Sequence, residues 1–74
     1  MSFYCIEEWV ESPRYFKGKP WKISRHYYGS ERTFNYWWKQ RTFYIDRMNE
    51  KMLPEDGHYW LVGLKDGVEI QRTT

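Results

Sequence analysis

The side chains able to attack, ligate or shuttle protons are few: Cys5, His26 and His58, each in a different part of the chain. A zinc site gathers three or four Cys, His or carboxylate ligands, and no Cys/His spacing of that kind occurs. A nucleophilic pair of Cys5 with either histidine would need a supporting motif that the sequence does not offer. Asp46 and Glu50 stand four apart, as a general acid and base on one helical face would, but Arg47 and Lys51 beside them make a solvated charged face the ordinary reading. Gly57, Gly63 and Gly67 lack phosphate-loop spacing, and no Gly-Lys-Ser/Thr occurs. The expectation is a protein that is not an enzyme and holds no cofactor and no metal.

Basic and aromatic residues carry the stronger pattern. Arg32, Tyr36, Lys39, Phe43 and Arg47 recur at steps of 4, 3, 4 and 4, so on a helix two rings stand between three cations along one face. The segment Glu11–Pro20 adds Arg14, Lys17 and Lys19 around Tyr15 and Phe16, a basic aromatic finger stiffened by Pro13 and Pro20. Lys22 and Arg25 follow directly. Cations track phosphates or a carboxylate-rich partner, and rings give bases a stacking surface. The alternative is that the cations only keep an aromatic-rich core in solution.

Charge is unevenly placed along the 74 residues. Residues 1–12 carry three glutamates and no cation, whereas in residues 13–47 nine cations against Glu31 and Asp46 leave +7. Residues 48–74 return to −2. The basic middle also holds 11 of the 16 aromatics, as a polyanion with stackable bases would call for. Adjacent rings occur at Tyr15-Phe16, Tyr27-Tyr28, Trp37-Trp38, Phe43-Tyr44 and Tyr59-Trp60. Neighbours diverge by about 100° in a helix and point to opposite faces in a strand, so no single core takes both members of every pair.

A 9.3 kDa chain is one small domain that buries only about 60% of its extended surface. A lone Cys5 cannot form an internal disulfide, which places the expectation in the cytoplasm. Glu7 and Glu8 sit where an export signal would need a basic start and an apolar run. The longest apolar run, Tyr59 to Leu64, is about a third of the ~20 residues a membrane span needs.

The elements that must position these side chains follow from punctuation at Pro13, Gly18 to Pro20, Gly29-Ser30, Pro54 to Gly57 and Asp66-Gly67. Glu31 to Met52 predicts a helix of about six turns with a stripe of Phe34, Trp37, Trp38, Ile45, Met48 and Met52, and with Tyr44 at its margin. The alternative, a hairpin of Phe34 to Trp38 and Thr42 to Ile45, would turn on Lys39-Gln40-Arg41, which lacks Gly, Asn and Asp. Ser30 is its N-cap and Pro54 its stop. Pro20–Tyr28 alternates as a strand, with Trp21, Ile23 and Tyr27 on one face. Phe3–Val10 reads as a strand, with a short helix as alternative. His58–Arg72 predicts a hairpin, and a three-residue Lys65-Asp66-Gly67 loop is preferred because it pairs Leu64 with Val68 and Val62 with Ile70 on one buried face. The fold class is α+β: one antiparallel sheet packed on one long helix in the order β-β-α-β-β, with a winged-helix-like arrangement as alternative.

These readings predict a small intracellular nucleic-acid-binding or architectural protein, contacting DNA or RNA through Arg14, Tyr15, Lys17, Lys19, Lys22, Arg25, Arg32, Tyr36, Lys39, Phe43 and Arg47. A protein-binding inhibitor or adaptor, such as a mobile-element product meeting an acidic surface of a host factor, is the alternative. A homodimer is a third reading, since self-association also hides surplus rings.

Overall fold

The computed structural model describes residues 2–73. Four strands and one long helix follow in the expected order: β1 (Tyr4–Glu11), β2 (Trp21–Tyr28), α1 (Glu31–Lys51), β3 (His58–Lys65) and β4 (Val68–Arg72). The strands form one antiparallel sheet in the order β2-β1-β3-β4. With β1 extended, the winged-helix-like alternative falls away.

Helix α1 starts and stops where local chemistry directs. Ser30 is extended, and its Oγ accepts a hydrogen bond from the Thr33 amide at 3.2 Å. Its hydroxyl also meets Thr33 Oγ1 at 2.9 Å, so threonine closes the cap at the position where a glutamate would close a capping box. Met52 leaves helical geometry, and Leu53, held extended before Pro54, ends the run.

The helix lies against β1 and β3. Phe34, Ile45 and Leu61 are fully buried, with Tyr4 and Ile6 beside them and Tyr28, Trp38 and Tyr59 at the margin. Trp37 departs from the expected stripe. It stands exposed with its ring edge-on to Tyr36 at 5.3 Å, because it lies about 100° around the helix from Trp38, and only one of two neighbours can face the sheet. Asn49, unremarked in the sequence, locks the helix to the sheet: its amide donates to the Tyr59 carbonyl at 2.9 Å and its oxygen accepts from the Tyr59 N–H at 2.7 Å.

The hairpin corrects the three-residue loop. Asp66 and Gly67 both have positive φ, 52° and 83°, and Lys65 pairs with Val68, so the turn has two central residues of the mirror-image type that suits strand twist. Phe3 fastens this turn, donating its N–H to Asp66 Oδ1 at 2.7 Å and accepting from the Asp66 N–H at 2.8 Å. Leu64 then faces Glu69, and a bulge brings Val62 opposite Arg72 rather than Ile70. Leu61 and Tyr59 face the helix; Val68 and Ile70 stay exposed. The premise of a single apolar face fails because β3 is apolar on both.

Gly63 admits the helix. A Cβ there would stand 2.8 Å from Phe34 Cζ and 3.0 Å from Trp38 Cζ3. Gly63→Ala is therefore expected to cost about 1–3 kcal/mol in chemical denaturation, through overpacking of the helix against β3. A variant as stable as the parent would contradict this contact.

Candidate nucleic-acid interface

Residues expected to act together fall on two different faces. A β-bulge decides this. Glu8 pairs with Ser24 and Trp9 with Lys22, leaving Ile23 as an extra residue in β2. The expected alternation therefore breaks: Trp21 lies beside Val10 on the helix side, whereas Tyr27, opposite Cys5, lies on the far side. Lys22 and Arg25 share the far side with Glu7, and neither joins the finger and helix cations.

On the far side Glu7 is 5% exposed and fully engaged. Arg25 donates from Nε at 2.8 Å and from Nη2 to Glu7 Oε2, and Lys22 Nζ lies 3.5 Å from the same oxygen. The Trp9 indole N–H donates to Oε1 at 3.2 Å. Burial alone would raise the Glu7 carboxyl, but hydrogen bonds from Arg25 and Trp9 and the charges of Arg25 and Lys22 outweigh it and hold it below its ordinary range. Trp9 stacks on Trp60 with ring centres 6.2 Å apart, and His58 lies 5.4 Å from Trp60.

The same geometry separates the reactive side chains. Cys5 is buried, and burial, then the Glu7 charge, pushes its thiol up, away from a nucleophilic thiolate. His26 pairs with Ile6 and so takes the opposite face from Cys5. His58 pairs with Glu11, six residues along β1 from Cys5 and so about 20 Å away. Among the described residues no three His, Cys, Asp or Glu side chains gather in a way that could hold a metal. No helix of the described residues is long and apolar enough to cross a membrane.

The helix side is built differently. Arg32, Tyr36, Lys39, Phe43 and Arg47 are all exposed on α1. Tyr36 and Phe43 keep 59% and 60% of their surface. The Arg47 guanidinium lies over the Phe43 ring at 4.8 Å. Among the described residues Arg32, Lys39, Arg47, Lys17 and Lys19 make no ion pair.

The finger adjoins the C-terminal half of this helix and is conformationally defined. Ser12 is buried, and its Oγ accepts from the amides of Arg14 and Tyr15 at 3.2 and 3.3 Å. Phe16, Lys17 and Gly18 then run through positive φ of 56°, 57° and 72°. For the two residues with side chains this costs about 1–2 kcal/mol each. The Phe16 ring stacked on Trp21, centres 5.2 Å apart and planes 9° from parallel, holds the turn. Arg14 reaches Asp56 at 3.7 Å. Between finger, β2 and helix runs a groove of about 700 Å³ lined by Phe16, Trp21, Ile23, Met48, Met52 and Tyr59, with Tyr15 and Lys51 also on its walls.

No family model matches the chain, and no curated protein or solved structure matches it either.

The Glu7 cluster carries a pH signature. A carboxyl lowered in the folded state stabilises fully above its ordinary value of 4.5, and that contribution disappears as pH falls through the lowered value. The melting temperature should therefore fall as pH drops below the ordinary carboxyl value of 4.5. Glu7→Gln should start lower and fall less steeply. Parallel curves for parent and variant would contradict this assignment.

Proposed function

We propose that the chain is a non-enzymatic nucleic-acid-binding protein that grips single-stranded or distorted DNA or RNA with its helix side. One observation carries the reading: the outer face of α1 sets exposed Tyr36 and Phe43 between Arg32, Lys39 and Arg47, none of which makes an ion pair among the described residues. Cations without carboxylate partners keep their full attraction for phosphates, and exposed rings offer bases a face. Arg32 to Arg47 spans about 22 Å of helix, and the exposed Lys17 and Lys19 of the finger add two further cations. A reducing cytoplasmic compartment belongs to the same proposal and suits the single free Cys5.

A second reading has its own support. The groove floor is apolar and contains two methionines, Met48 and Met52, which adapt to irregular side chains of a partner. An inhibitor or adaptor gripping an apolar segment of another protein would use that groove. Stoichiometric retention of a protein from nuclease-treated lysate, lost in Met48→Asp, would favour it.

For the nucleic-acid reading, log affinity for a mixed-sequence oligonucleotide should fall linearly with log salt, at about 0.7–0.9 per phosphate contacted. Lys39→Ala combined with Arg47→Ala should flatten the slope by about 1.4–1.8. Mobility shifts against single- and double-stranded DNA and RNA measure both. A flat response in the parent, or no binding at low salt, would remove the proposal.

A further inference from the structure

The sheet face turned away from α1 has no element of the described chain against it, and it sets exposed and half-buried rings beside charges that are largely paired. In β1 Tyr4, Cys5 and Ile6 are buried in succession, and in β3 Leu61, Val62 and Gly63 are. Strands apolar at consecutive positions belong in sheets covered on both sides, whereas a half-solvated strand alternates. On this face Phe3 and Tyr27 keep 60% and 66% of their surface, and the Trp9–Trp60 pair is half-buried.

We infer that a second copy of this chain covers this face, so that two sheets pack against each other and the two helices lie outermost. Charge selects the occupant. The face carries Lys22, Arg25 and Arg72 against Glu7, Glu11 and Glu69, which sum to zero. Most of these charges are neutralised in place, Glu7 by Arg25 and Lys22 and Glu69 by Arg72. A face of zero net charge attracts neither a polyanion nor a strongly charged protein, whereas its own copy meets it with Glu7 and Glu69 already paired within each chain. The helix sides, with unpaired cations, repel each other and cannot serve as the contact.

Area agrees. Four strands about 4.8 Å apart and about seven residues long at 3.3 Å give roughly 440 Å² in projection. Side-chain relief brings the accessible area towards the roughly 800 Å² per partner of a standard interface, with the tryptophan pair as its anchor. Sheet-to-sheet and helix-to-sheet spacings near 10 Å then separate the two basic helix rows by roughly 40 Å on opposite surfaces. Resting on the proposed grip of the helix side on nucleic acid, such a dimer would bridge two nucleic-acid segments, an architectural role.

Sedimentation equilibrium of the nuclease-treated full chain over a wide concentration range tests this. The expected result is a reversible species of twice the 9.3 kDa chain mass. Tyr27→Lys, at an exposed position, and Trp60→Lys should each weaken it at least tenfold, with circular dichroism confirming the fold. Tyr36→Glu, and Lys39→Ala with Arg47→Ala, should leave the dimer unchanged, so the interface is judged independently of oligonucleotide binding. A monomer at every concentration overturns the inference, as does a dimer lost in Tyr36→Glu and kept in Tyr27→Lys. A monomer whose Trp60→Lys variant loses oligonucleotide binding would place nucleic acid on this face and overturn it as well.

Discussion

A single helix is about 10 Å wide and a four-stranded sheet about 19 Å, so one helix covers two strands on one face. Helix α1 takes the central pair, pinned by the Asn49 clasp on Tyr59 and by the space left at Gly63. Beyond those contacts most of the helix side of β2, the outer half of the helix and the rims of the opposite sheet face, around the buried Cys5, Glu7 and Val62, are left without a covering element among the described residues. Nine of the 16 aromatics are exposed as a result, among them Tyr15, Trp21, Tyr36 and Phe43. Rings outside are a consequence of geometry before they are a device for binding.

Charge then gives the uncovered surfaces different characters. Among the described residues Lys17 and Lys19 of the finger and Arg32, Lys39 and Arg47 of the helix row make no ion pair, and the sequence has no carboxylate between Pro13 and Pro20. Across the sheet, Glu7 draws Lys22 and Arg25 into a compact trio and Arg72 answers Glu69. The bulge at Ile23 makes this division, because one extra residue moves Lys22 and Arg25 together onto the Glu7 face while Trp21 joins the groove. A partner that follows positive charge is directed to the helix side, and a partner that tolerates zero net charge to the sheet.

Much of this was legible in the sequence. Element order, the Ser30 cap, the stop at Pro54 and the exposed row on the helix follow from local chemistry that tertiary contacts did not override. The misreadings share one physical origin. Strand faces alternate with a period of two, so a single bulged residue reverses every assignment beyond it, and the two bulges, at Ile23 in β2 and at Ile70 in β4, have no sequence mark. The preference for one apolar face in the hairpin failed against the positive φ available at Asp66-Gly67 and the hold of Phe3 on that turn. Trp37 fitted the apolar stripe by type but not by angle. Glu7 and Asn49 were silent because their partners, Arg25 and Tyr59, are distant in the chain and adjacent only in the fold.

Hydroxyl-radical footprinting of the aromatic side chains, with and without a single-stranded oligonucleotide, tests the central claim most directly. In the free protein Tyr36, Phe43 and Tyr15 should react much faster than the buried Phe34 and Tyr4, and on adding oligonucleotide those three should lose reactivity while Trp9 and Trp60 keep theirs. Slow reaction of Tyr36 and Phe43 in the free protein, or protection that falls on Trp60 and spares them, would contradict it.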